Sequence, residues 1–78
     1  MKDKLTIKAK REGYNARSAY KLIEINNKYS LIKKNSRVLD LGCWPGGWLQ
    51  VASKITKDVI GVDLKETSIK GIKTYVTD

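Results

Sequence analysis

Between Val38 and Trp48 the chain reads VLDLGCWPGGW, and this stretch limits the fold more than any other. Arg37 to Leu41 is a compact aliphatic run of the kind that forms a buried strand, and Gly42-Cys-Trp-Pro-Gly-Gly47 closes it with a glycine-rich turn. Trp48, Leu49, Val51, Ala52 and Ile55 then recur at helical spacing and predict a helix of about two and a half turns that starts in the glycine loop. Val59-Ile-Gly-Val62 reads as a second buried strand, ended by Asp63. Strand, glycine turn, helix and strand make a βαβ unit, which demands a parallel sheet with a right-handed crossover. The expected class is therefore α/β, the first part of a Rossmann-like parallel sheet. Lys73 to Val76 is the expected third strand. Only Leu64 to Ile72 connects it to the second, so that crossover is predicted to hold one or two helical turns at most.

Upstream, Ala16 to Tyr29 has helical periodicity, with Ala19, Leu22, Ile23, Ile25 and Tyr29 on one face and Arg17, Lys21, Glu24 and Lys28 on its flank. Lys21 sits at the border of the buried stripe. By position alone it reads as an ordinary surface lysine lying along the helix. Residues 1–13 lack clear periodicity and are expected to gain structure only by docking elsewhere. The chain thus divides into a basic arm, residues 1–15, and a domain, residues 16–78, made of a basic leading helix and strands one to three. With no repeat and its single proline inside the glycine loop, it reads as one unit.

The net charge of +8 is one-sided: residues 1–37 hold eleven Lys and Arg against three acids, and residues 38–78 hold five against five. A basic segment beside a neutral one suggests a polyanion bound next to a pocket for something else, because Lys and Arg gain by releasing counterions from phosphates. A solvated tail that aids solubility is the plainer reading. One cysteine and no histidine exclude a disulfide framework and a cysteine-rich zinc site, and no metal is expected. The start, MKDKLTIKAKREG, has no apolar core of a secretion signal, and no run approaches a membrane span. Asp3 and Glu12 argue against an organellar leader, so a cytoplasmic protein is expected.

In an open parallel sheet, ligands bind beyond the carboxyl ends of the strands, which directs attention to the glycine loop. Glycine lets a backbone approach a ligand closely, and the helix that follows presents free N–H groups. Asp63 lies 23 residues after Asp40, the distance at which such folds place an acid for the two hydroxyls of an adenosine ribose. Three non-glycine residues separate Gly42 from Gly46, so the G-x-G-x-x-G dinucleotide fingerprint is absent, and no Gly-Lys-Ser/Thr completes a phosphate loop. Adenosine without a pyrophosphate fits better, and S-adenosylmethionine is the common ligand of that kind. Its amino-acid end would lie over Gly46-Gly47 and its ribose at Asp63; a plain strand-to-helix turn is the alternative. Asp40 is expected to be structural, bonding loop amides. Cys43, with no histidine to activate it, reads as a small buried hydrophobe. Trp48 is either a core residue or a wall for the methionine side of the ligand.

Taken together, YNARSAYKLIEINNKYSLI, VLDLGCWPGGWLQVA and VIGVDLKE resemble the FtsJ-like family of ribose 2′-O-methyltransferases of RNA, from about Gly13 to the last residue. The resemblance implies S-adenosylmethionine as cofactor, RNA as partner, and methylation of a uridine in large-subunit ribosomal RNA. It implies a catalytic role for Lys21, the first lysine of the family's Lys-Asp-Lys-Glu tetrad, and cofactor contacts at Gly46, Trp48, Asp63 and Asp78. Trp44 stands where the family usually has a small residue. The stretch ends at Asp78, before the positions of the other tetrad members, so the chain alone is expected to be inactive. A non-catalytic RNA- or cofactor-binding remnant and one piece of a split enzyme remain alternative readings.

Overall fold

The computed structural model describes residues 3–77; Asp78, expected at the cofactor, lies outside them. Its elements are α1 (Lys4–Glu12), α2 (Ala19–Tyr29), β1 (Arg37–Leu41), α3 (Gly47–Ile55), β2 (Asp58–Asp63) and β3 (Lys73–Val76). The strands form one parallel sheet in the order β1-β2-β3. Register pairs Leu41 with Val62 and Val62 with Tyr75, so all three strands point their carboxyl ends the same way.

Strand alternation decides which side chains reach α3. Val59 and Gly61 of β2 are buried on its side of the sheet, with Val38 packed against the same cluster. Leu49 of α3 is fully buried at 0% exposure and shares that cluster with Cys43, Ala52 and Val59. A second cluster, Ala19, Leu22 and Val51, fastens α2 to α3. Ile32, within the polar connector, packs on both clusters because Asn26 brackets it: its Oδ1 accepts the Ile32 amide at 2.7 Å. Tyr29 is 62% exposed, so the apolar stripe of α2 ends before it.

The opposite face of the sheet has no covering element among the described residues. Leu39 and Leu41 are 61% and 72% exposed there, and Tyr75, in line with Leu41 through Val62, is also exposed. β1 is an edge of this sheet.

Two expectations change. Residues 4–12, read as an arm without periodicity, form α1. Asp3 caps it by accepting the Thr6 amide at 2.8 Å. Gly13, at φ 86°, ends it: the Tyr14 amide donates to Ala9 O at 2.8 Å and the Gly13 amide to Lys10 O at 3.3 Å, the double bond pattern of a Schellman stop. Only Ala9 of α1 is buried, so its attachment to α2 is mainly polar and aromatic. Arg17 pairs with Asp3, Tyr20 donates to Glu12, and the Lys8 ammonium lies 4.8 Å from the Tyr20 ring centroid. The connector from Leu64 to Ile72 contains no helix; it ends in a turn closed by the Ile72 amide on Ile69 O. Buried Thr67 and half-buried Ile69 anchor it instead.

Gly61 is required by packing. A β-carbon there would stand 2.6 Å from Leu49 Cδ1 and 2.9 Å from Cys43 Sγ, both held in the core. Gly61→Ala should therefore destabilise the chain by about 1–3 kcal/mol, the usual range for overpacking, read as a lower urea midpoint with an unchanged m value.

Candidate functional site

β1 enters the loop at Gly42, and the loop stays tied to the central strand. The Gly42 and Cys43 amides both donate to Val62 O, at 2.7 and 3.2 Å. The Trp44 amide donates to Asp63 Oδ2 at 2.8 Å, and the Lys65 amide to Asp63 Oδ1 at 2.9 Å. Asp63 thus stitches the loop after β1 to the loop after β2. These amides, Lys65 first and Trp44 second, hold its carboxyl below the ordinary carboxylate range, so it stays ionised.

The loop amides bond Asp63 rather than Asp40, which was expected to hold them. No loop amide reaches the Asp40 carboxylate among the described residues; Asp40 faces a cavity instead. Burial pushes its carboxyl up, and the charge on Asp63 pushes it further. Two neighbouring acids are so driven in opposite directions, one fixed as an anion and one burdened by its charge. Below pH 3.8, the ordinary Asp value, Asp40 is neutral in both folded and unfolded chain and costs nothing. As pH rises through its raised folded value, the cost of the buried charge appears in full. Asp40→Asn should therefore raise the thermal midpoint at pH 7 and leave it nearly unchanged at pH 3; an equal shift at both would refute the assignment.

The cavity, about 340 Å³, opens at the carboxyl end of β1 between Asp40, Gly42, Trp44 and Gly47 of the loop, the Trp48 indole, and Ser18 ahead of α2. Trp48 is 40% exposed, and its Nε1–H donates to Ser18 O at 2.9 Å, so the ring is a held wall rather than a core filler. Lys21 is exposed and lies one helical turn after Ser18, to whose carbonyl its own amide donates at 3.1 Å. It flanks the cavity without lining it.

Gly46 begins α3 at φ 107°, and its α-carbon packs toward the connector: a β-carbon would meet Ile69 Cδ1 at 2.6 Å. Gly47 approaches Ala16 less closely, with a β-carbon 3.3 Å from the Ala16 side chain and carbonyl. Sequence reasoning missed the bracing on the far side of the loop. Asn15 Nδ2–H donates to Pro45 O at 2.8 Å, while Gln50 accepts the Asn15 amide at 2.7 Å and donates to Gly13 O at 3.0 Å.

A cavity at the strand ends of a parallel sheet, walled by a glycine loop and the first turn of a helix, is the arrangement in which open α/β sheets bind ligands, and it places the chain in that class. Comparison with known proteins narrows that class. The model of the FtsJ-like methyltransferases matches residues 14–78, and the chain belongs to that family. It is 53% identical over 79 residues to the ribosomal RNA large subunit methyltransferase E of Methanothrix thermoacetophila, covering 99% of this chain and 31% of that protein. The protein of the same name from Picrophilus torridus is 54% identical over 59 residues, covering 76% of this chain and 30% of its own length. A crystal structure described as that of a ribosomal RNA methyltransferase from Plasmodium falciparum superimposes with a TM-score of 0.72 at 41% identity, covering 83% of this chain and 38% of that one. The chain spans about a third of the length of these curated relatives.

Proposed function

We propose that this chain is the cofactor-binding part of an RNA ribose 2′-O-methyltransferase that works in the cytoplasm on large-subunit ribosomal RNA, most simply on a uridine. The observation that carries the reading is the cavity at the carboxyl end of β1, with Lys21 one helical turn from its wall, in a chain of the FtsJ-like family.

S-adenosylmethionine fits the residues present. The cavity volume lies within the range of small-ligand sites, roughly 300–1,000 Å³. Asp63 is ionised and spends one acceptor position per oxygen on the loop, which leaves lone pairs for ribose hydroxyls. The first amides of α3, entered at Gly46, have no partner within the helix and suit a carboxylate. The held Trp48 ring would wall the methionine side, and Asp78 would take the adenine amino group. When bound, this cofactor supplies an electrophilic methyl group. Lys21 would orient the attacking ribose hydroxyl and stabilise the oxygen as negative charge develops on it.

RNA would lie along the basic side formed by α1 and α2. Residues 1–15, the proposed arm, contribute Lys4, Lys10 and Arg11 as exposed cations, whereas Arg17 is committed to Asp3.

The test has two parts. Calorimetry should show S-adenosylmethionine binding that weakens at least about tenfold in Asp63→Ala, from the loss of hydrogen bonds to a charged group. Joined to the remaining part of the Methanothrix thermoacetophila relative, the chain should transfer methyl groups to ribosomal RNA. The modified nucleotide should resist alkali, because the 2′ hydroxyl that attacks the neighbouring phosphate is blocked. Methylation of a base, or no cofactor binding, would refute the reading.

A further inference from the structure

Trp44 is the residue of the loop that the proposed reaction leaves without a role. It lines the cavity yet keeps 50% of its surface exposed. Its backbone is fixed, because its amide is held by Asp63. Its ring is fixed too: the Lys65 ammonium stands 4.1 Å from the indole centroid. The same carboxylate holds the Lys65 amide, so one acid positions both partners of this cation–π pair. A large indole held in place and left half in water at a cavity mouth has surface to gain by being covered.

We propose that Trp44 and Lys65 form a stacking step at the cavity mouth, where the indole takes a base of the RNA substrate and the Lys65 ammonium takes an adjoining phosphate. The inference rests on the RNA-methylating reading and adds a substrate contact to the same site. Two observations favour an RNA base over the adenine of the cofactor. S-adenosylmethionine carries a sulfonium and an ammonium, which the Lys65 charge repels, and its one anion, the carboxylate, is already placed at the first amides of α3. A ribonucleotide brings both a π-face and an anion, and interleaved aromatic and basic side chains are the usual surface for single-stranded nucleic acid.

The experiment uses the chain as it stands, with fluorescently labelled oligouridylate, inorganic polyphosphate and S-adenosylmethionine as three separate probes. Trp44→Ala should weaken oligouridylate binding roughly 5- to 150-fold, the span found for removal of one stacked base, and Trp44→Phe should recover most of it. Polyphosphate binding should be unchanged in Trp44→Ala and weaker in Lys65→Gln, since only the latter removes charge. Any loss of S-adenosylmethionine affinity in Trp44→Ala, which alters the cavity lining, should be smaller than the loss of oligouridylate affinity. Oligouridylate binding unaffected by Trp44→Ala, or an equal loss on polyphosphate, overturns the stacking role while leaving the methyltransferase reading intact. Loss confined to S-adenosylmethionine assigns the indole to the cofactor and overturns it equally. If the unaltered chain binds no oligouridylate, the RNA reading fails and the stacking step falls with it.

Discussion

Lys21→Ala should lower methyl transfer by at least about 100-fold, the lower end of what a positioned proton-handling side chain contributes, while S-adenosylmethionine affinity stays within twofold. The split between the two readouts follows from placement. Lys21 is exposed on α2, one turn beyond Ser18, and does not line the cavity in which the cofactor would sit. Ser18 O also accepts the Trp48 indole N–H, so the start of α2 is registered against the cavity wall, and Lys21 with it. The measurement is transfer to ribosomal RNA by the chain joined to the remainder of the Methanothrix thermoacetophila relative, with calorimetry in parallel. Lys21→Arg separates charge from proton handling. Arginine keeps the positive charge but does not release a proton near neutral pH. Recovery by arginine would mean that orienting charge suffices; no recovery would mean that the lysine also moves a proton. Full activity in Lys21→Ala would remove the residue from the mechanism.

The second large effect is expected at Gly46. Its φ of 107° is strained for any residue with a β-carbon, and the added carbon would stand 2.6 Å from Ile69 Cδ1 and 3.3 Å from Thr67 Cγ2. The conformational cost is about 1–2 kcal/mol and overpacking adds about 1–3 kcal/mol, so Gly46→Ala should lose about 2–5 kcal/mol. For a domain whose total stability is of order 5–15 kcal/mol, that is a large share. Gly42→Ala provides the control: Gly42 has φ 74°, but a β-carbon there meets nothing within 4 Å. It should lose only the conformational part, about 1–2 kcal/mol. Urea unfolding of both variants measures the difference, and equal losses would show that contact with the connector does not matter. Gly46→Ala should also weaken cofactor binding, because the connector and the start of α3 would have to part.

Several features were legible in the linear chain because they depend on local periodicity. β1 and β3 fall on the residues expected of them, and α3 starts in the glycine loop, where the helical spacing of Trp48, Leu49, Val51, Ala52 and Ile55 begins. Asp63 was legible as the acid at the end of β2 because strand-end positions are fixed by spacing. Lys21 emerged only from the family resemblance, for an exposed lysine on a helix flank carries no local mark of chemistry.

α1 was missed despite Asp3 and Gly13, its start and stop residues, because little of it joins the core: only Ala9 is buried, while Leu5 and Ile7 stay 47% and 46% exposed. What holds it is a set of contacts with α2 through Tyr20, invisible until the two helices meet. The connector after β2 follows the same logic. Nine residues at a parallel crossover suggest a helical turn, yet Thr67 and Ile69 pack on Gly46 and the chain crosses without one.

The sequence by itself determined the order of α2, β1, α3, β2 and β3, the glycine loop and the identity of the acids, since each rests on residues close together in the chain. Tertiary structure alone decided which acid serves the loop and which faces the cavity. Asp40 and Asp63 are equivalent as letters. The parallel register brings the end of β2 beneath the Trp44 amide, and that contact makes Asp63 the clasp and leaves Asp40 the cavity wall. Hydrogen bonds between segments far apart in the chain form only once the sheet does; they hold the Asp63 carboxyl down, while burial and the Asp63 charge push the Asp40 carboxyl up.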